Sequence, residues 1–207
     1  MTEQKQRKLA VNIVSKLDPA LSDIILDQDN CYEEIINAVK PYRDKILGMW
    51  QDTWPQEWAY YWARDIGDHD VTRDRVTESE WAYWWAFVIG DHDVMRDRVT
   101  ESKWAYRWAI RIGDHDIMRD RITESKWSYY WAVNIGDRDV MRDRVTESMW
   151  AYHWAINIGD RDVMRDRVKE SEWAYRWACV IGDHGVMRPI VFKDPRWKEH
   201  WIKHFGE

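Results

Sequence analysis

Cysteine, phenylalanine and proline are scarce in this chain, and long apolar runs are missing altogether. The two cysteines, Cys31 and Cys179, stand far apart, with no CxxC pair and no Cys/His ligand spacing. That argues against a disulfide framework and a cysteine-based zinc site, and it fits thiols kept in a reducing compartment. No apolar stretch approaches the roughly 18 residues that a membrane span needs. The opening MTEQKQRK is basic, but the apolar stretch after it is broken by Asn12, Ser15 and Lys16. That is not the pattern of a signal peptide. A cytoplasmic protein with no membrane partner is expected. Net charge is −6, so bulk charge does not mark a nucleic-acid binder. There is no Gly-rich phosphate loop and no nucleophile with a base at telling spacing. No catalytic residue, no metal and no small-molecule cofactor is expected. At 207 residues the chain can bury a core without disulfides or metal.

What is abundant is tryptophan. There are 17 Trp and 10 Tyr against 3 Phe. Twelve of the Trp fill the first and fifth places of a 23-residue unit that begins at Trp58, Trp81, Trp104, Trp127, Trp150 and Trp173. One copy reads WAYRWAIRIGDHDIMRDRITESK, from Trp104 to Lys126. Ser two places before each following Trp is a good N-cap, and Gly at the tenth place is a good helix terminator. The unit therefore reads as helix A, about Glu80 to Ile89 in the second copy, then a short helix B, Val94 to about Val99. Helix B has too few turns to stand alone and must be held by packing. At 100° per residue, places 1, 2, 5, 6 and 9 of helix A share one face, in the third copy Trp104, Ala105, Trp108, Ala109 and Ile112. One unit cannot bury that face, but stacked units bury it against each other.

The flanks read differently. Residues 1–50 do not follow the repeat. They read as four short helices, Glu3 to Leu17, one ending near Leu26, Tyr32 to Val39, and one opening at Pro41. At the far end Pro189 is expected to interrupt the last helix B. Asp194-Pro195 then opens a closing helix with Trp197, Trp201, Ile202 and Phe205, ended by Gly206. The predicted fold is all-α: a right-handed α-solenoid of six 23-residue two-helix repeats over 54–195. A helical cap over 1–53 precedes it and a capping helix over 196–207 follows.

The stretch IGDHDVMRDRV resembles the D-x-D-V-R segment of short HEAT-like and leucine-rich-variant α-solenoid repeats. The WAYxWA segment is similar to Tyr-Ala-Tyr-x-Tyr-Ala tandem repeats of uncharacterised bacterial and phage proteins. The resemblance covers about residues 54–205, with a shorter unit and with Trp in place of aliphatic residues. It implies a superhelical scaffold that binds other macromolecules and carries no catalytic residue across. It also implies a phage or mobile-element setting, in which the chain would inhibit a host defence protein.

Candidate chemistry within the repeat reads mainly as structure. The recurring Asp-x-Asp after Gly, Asp91 and Asp93 in the second copy, fits helix capping better than calcium. Arg96, Asp97 and Arg98 recur and suggest an Arg/Asp ladder between units. His69, His92, His115 and His184 share a slot with Arg138 and Arg161, which no metal site tolerates. His200 and His204 have the spacing of a metal pair but no third ligand.

The copies differ from one another mainly along a stripe at i, i+4 and i+8 of helix A, placed roughly opposite the Trp/Ala face. It holds Glu57, Tyr61 and Asp65; Glu80, Trp84 and Val88; Lys103, Arg107 and Arg111; Lys126, Tyr130 and Asn134; Met149, His153 and Asn157; Glu172, Arg176 and Val180. Phe87, Ile110, Val133, Ile156 and Cys179 lie beside it. Tyr61, Trp84, Arg107, Arg111, Tyr130, Met149, His153 and Arg176 are residue types that partner interfaces favour, and Lys103 and Lys126 complete the expected contact set as basic members of the stripe. The expectation is a non-enzymatic scaffold that binds a protein through this face. The alternative is nucleic-acid binding by the central cluster Lys103, Arg107, Arg111 and Lys126 with aromatic platforms.

Overall fold

The computed structural model describes residues 40–48, 56–67 and 69–206. The first three helices expected at the N-terminus lie outside the described residues. Of the fourth, a 3₁₀ turn Lys40–Tyr42 and helix α1, Arg43–Gly48, are described. The chain divides into two compact units, Met1–Val99 and Thr100–Glu207. The described residues of both are built from the predicted helix pairs, and the architecture is the all-α solenoid type.

The first unit contains α2 (Gln56–Asp65), α3 (His69–Thr72), a 3₁₀ turn Arg73–Arg75, α4 (Ser79–Val88) and α5 (His92–Arg96). The second contains α6 (Ser102–Arg111), α7 (His115–Asp120), α8 (Ser125–Asn134), α9 (Arg138–Arg144), α10 (Ser148–Asn157) and α11 (Arg161–Arg165). It ends with α12 (Ser171–Val180), α13 (His184–Val191) and α14 (Pro195–Phe205). The long A helices pack in sequence, α6 on α8, α8 on α10, α10 on α12 and α12 on α14. Each short B helix packs on the A helix before it.

The core is the same in each copy. In the second unit Trp108, Trp131, Trp154 and Trp177 are fully buried. Ala109 and its equivalents lie beside them, with Met118, Met141, Met164 and Met187 from helix B. At about 25 cal/mol per Å², a fully covered Trp of about 200 Å² contributes roughly 5 kcal/mol before entropy is set against it. Ser128 stands where other copies have Ala and is also fully buried. Its hydroxyl donates to the Glu124 carbonyl at 2.9 Å, so no polar group is stranded.

Two expectations change at the ends of helix A. The repeated Ser is the first helical residue rather than the cap, and its side chain serves the next copy. Ser102 Oγ accepts from the backbone N–H groups of Thr123, at 2.9 Å, and Glu124, at 3.3 Å. It also donates to the Arg121 carbonyl at 3.2 Å. Ser125 and Ser148 repeat the arrangement one and two copies on. In the first unit Gln56 occupies the slot, and its Oε1 accepts from Thr77 and Glu78. At the other end, the Asp after Gly is not a side-chain cap of helix B. Gly113 has φ 122° and Asp114 φ 55°, so two successive residues turn through the left-handed region. Helix B begins directly after them, two residues earlier than the sequence suggests.

Pro189 does not interrupt the last B helix. It lies inside α13, which runs eight residues from His184 to Val191. Proline removes one N–H and crowds the carbonyl four residues back. That carbonyl belongs to Gly185, which replaces the usual Asp. The closing helix behaves as expected: Asp194 accepts from the Arg196 N–H at 2.9 Å, Pro195 is the first helical residue, and Gly206 ends it.

Candidate partner-binding face

The variable stripe does not lie opposite the tryptophans; it borders the first Trp of each copy. On a helix, place 4 is a neighbour of place 1, and the stripe leans over that ring. Arg107 lies 4.8 Å from the Trp104 ring centre and Lys103 Nζ 4.4 Å from it. Lys126 Nζ stands 5.1 Å over Trp127, and the Arg176 guanidinium 5.1 Å over Trp173. Trp104, under two cations, is 3% exposed. Trp127, Trp150 and Trp173 are only half-buried. The first Trp is thus a boundary residue, and the fifth is the core residue.

The half-buried rings form a row through the second unit. Tyr106 meets Trp127 at 5.4 Å, Tyr129 meets Trp150 at 5.5 Å, Tyr152 meets Trp173 at 5.5 Å and Tyr175 meets Trp197 at 5.5 Å. Tyr130 sits between Trp127 (5.8 Å) and Trp150 (5.6 Å), and His153 between Trp150 (5.8 Å) and Trp173 (5.7 Å). Asn134 and Asn157 tie adjoining copies together by donating to the hydroxyls of Tyr106 (3.0 Å) and Tyr129 (2.9 Å). Burial raises the Tyr106 hydroxyl above its ordinary pKa, partly offset by the Asn134 bond. Burial, with help from Arg176, holds His153 below the ordinary histidine range.

The expected binding residues therefore differ in their surroundings. Arg107, Arg111, Lys126 and Arg176 are exposed, and Arg176 is also paired with Glu172 at 2.9 Å. Lys103, Tyr130, Met149 and His153 are half-buried. In the first unit, Tyr61 is half-buried against Trp81 at 5.9 Å, with the Arg64 guanidinium 4.8 Å from its ring. Trp84 is half-buried between Tyr83, at 5.2 Å, and Phe87, at 6.1 Å.

The chain matches no known protein family, no curated protein and no solved structure.

Sequence reasoning overlooked two groups. The third-place Tyr residues, Tyr106, Tyr129, Tyr152 and Tyr175, never vary, so comparing copies did not single them out. Arg196, His200 and His204 lie on α14 at the same i, i+4, i+8 spacing as the stripe. Trp197 meets His200 at 5.3 Å, which carries the row onto the closing helix. The 24-residue step from Trp173 to Trp197 was the available signal.

The other candidate chemistry is structural. From Trp85 to Trp177 each fifth-place indole is satisfied by the Asp after Gly: Trp108 Nε1 donates to Asp114 at 3.1 Å, Trp131 to Asp137 at 3.2 Å. His115 Nε2 lies 3.0 Å from the Ala109 carbonyl, at the end of helix A. Among the described residues no cluster of three or more His, Cys, Asp or Glu has metal-binding geometry. The expected Arg/Asp ladder is present, but its guanidinium bonds mainly to backbone. Arg144 donates to the Ile122 carbonyl at 2.7 Å and to the Arg119 carbonyl, while Asp120 is 3.7 Å away. Cys179 is free and exposed. Among the described residues no helix is long and apolar enough to cross a membrane.

Proposed function

We propose that this protein is a non-enzymatic scaffold that binds a protein partner through the outward edge of its A helices. The observation that carries the reading is the row of half-exposed rings in the second unit, bordered by exposed cations. Those rings are already fixed by stacking on their neighbours, so little side-chain entropy is lost when a partner covers them. Fixed aromatic anchors with Arg beside them are the composition of binding hot spots. Sequestration of a host protein, the role implied by the likeness to phage repeats, is one form such binding would take.

The second reading, single-stranded nucleic acid, is favoured by the cation-over-Trp pairs. It is the weaker of the two. Base stacking needs a free ring face, yet Tyr106 lies against Trp127 at 33° and Lys126 stands over the same ring. The overall charge of −6 opposes it as well.

The test is affinity capture from an extract of the cells that encode the chain, comparing wild type with an Arg107→Glu/Arg111→Glu/Lys126→Glu variant. A protein retained only by wild type, with the melting temperature unchanged, supports the reading. Equal retention by both rejects it. A salt-sensitive mobility shift with single-stranded oligonucleotide would favour the second reading. Alanine at Tyr130 or Trp84 is a poor probe, because both rings pack against neighbours and their loss would destabilise the fold.

A further inference from the structure

The two outer sides of the second unit differ in charge. Helix α6 packs on α7, and Trp108, Ala109 and Met118 are buried in the core that they share. Residues turned away from that core therefore lie on opposite sides of the unit, one side made by A helices and the other by B helices.

The B side is acidic at its surface. Ile117 and Asp120, three residues apart, share the face of α7 turned away from Met118. Val140 with Asp143 and Val163 with Asp166 repeat the pair in the next two repeats, and all three aliphatic residues are exposed. The Asp116 and Asp120 side chains are 93% and 72% exposed. The guanidinium groups that partner them lie deeper: Arg119 is 29% exposed, and Arg144, 3.7 Å from Asp120, is 25% exposed. Carboxylates thus form the outer layer and cations the layer beneath.

The A side has the opposite sign. Lys103, Arg107 and Arg111 on α6 and Lys126 on α8 border the exposed Ile110 and Val133, and no carboxylate occupies a stripe position on α6, α8 or α10. Each side therefore carries exposed Ile or Val with charge of one sign beside it, and an apolar centre bordered by charge is the make-up of a protein interface. Both patterns belong to the same 23-residue repeat, so both advance by one helix per repeat. Like sides repel and unlike sides attract.

We propose that the partner of the A-helix edge is a second molecule of this chain, which presents the B-helix face of its own second unit. The proposal rests on the scaffold reading above and names the protein that the edge takes. Lys103, Arg107 and Lys126 of one molecule meet Asp116, Asp120 and Asp139 of the next, with Ile and Val side chains between them. The two surfaces are different and lie on opposite sides, so the contact is heterologous and growth runs head to tail beyond two molecules.

The test is sedimentation velocity of the full chain over a concentration series at low and at high salt. Wild type should associate beyond two molecules at low salt and dissociate as salt rises. Arg107→Glu/Arg111→Glu/Lys126→Glu removes the cationic edge. Asp116→Asn/Asp120→Asn/Asp139→Asn/Asp143→Asn removes the anionic face while keeping acceptors for Arg119 and Arg144. An unchanged melting temperature confirms that each variant folds. Each variant alone should associate at least about tenfold more weakly than wild type. Mixed one to one, they should form pairs and stop there, because the first keeps its face and the second its edge. A wild-type chain that stays monomeric up to its solubility limit overturns the proposal. So does association that either variant leaves unchanged, or a mixture that grows no larger than its components. A monomeric wild type that captures a foreign protein through Arg107, Arg111 and Lys126 rejects this inference alone and leaves the scaffold reading intact.

Discussion

Trp108 donates its indole N–H to the carboxylate of Asp114, six residues on, at 3.1 Å. Trp108 is fully buried, and the indole has one polar atom, which needs an acceptor. Asp114 also holds φ 55°, a conformation that Asp and Asn tolerate better than other side chains. One residue thus satisfies the core and makes the turn between the two helices. Asp114→Asn keeps both functions and should change stability little. Asp114→Ala loses the acceptor and strains the turn, and should cost about 2–4 kcal/mol. Urea denaturation of the two variants checks the contrast; equal losses would reject it.

Arg144 clamps the carbonyls of the preceding copy, whereas its carboxylate neighbour Asp120 is largely exposed. Arg144→Ala should cost about 1–3 kcal/mol because the Ile122 carbonyl loses its charged donor, while the Arg119 carbonyl keeps only the Ile122 N–H at 3.2 Å. Asp120→Ala should cost less than about 0.5 kcal/mol, as for other exposed ion pairs. Calorimetry of both, at low and high salt, separates backbone clamping from a charge ladder. A larger, salt-sensitive loss for Asp120→Ala would favour the ladder.

Ser125 joins the start of helix α8 to the chain just after α9, closing that hairpin through the Thr146 and Glu147 N–H groups. Ser125→Ala should cost about 1–2 kcal/mol and open amides at residues 146 and 147 to hydrogen exchange. Protection lost at residues 127 and 128 instead would show that the serine caps its own helix.

His153 titrates below the ordinary histidine range, chiefly through burial and also through Arg176. The unfolded chain therefore holds the extra proton between the two pKa values. Its contribution to stability is full above the unfolded pKa, about 6.5, and is lost as pH falls through that value toward the folded one. His153→Tyr, the residue found in the same slot at 61 and 130, removes this dependence. Melting temperatures followed from about pH 7.5 down to about pH 5.5 should fall faster for wild type than for the variant. Parallel curves would refute the assignment.

Much of this was legible before any coordinates. The 23-residue period, the two helices per copy and the Gly turn follow from residue spacing, whereas the variable stripe borders the first Trp of each copy instead of lying opposite it. The buried pair Trp104 and Trp108 was read correctly, as was the Asp194-Pro195 start of the closing helix. Half-burial of Trp127, Trp150 and Trp173 was not, because angle on a helix places a residue at the edge of a face without saying what covers it.

The sequence by itself determined which residues face the same way on each helix, because 100° per residue is a local property of the backbone. The tertiary structure alone decided where Ser102 spends its hydroxyl, which carbonyls Arg144 clamps and which ring each Tyr meets. Those partners lie 19 to 28 residues away, so they are fixed only when one hairpin stacks on the next. Pro189 shows the same division. Local rules end a helix there, while packing against the neighbouring helices α12 and α14 keeps α13 continuous.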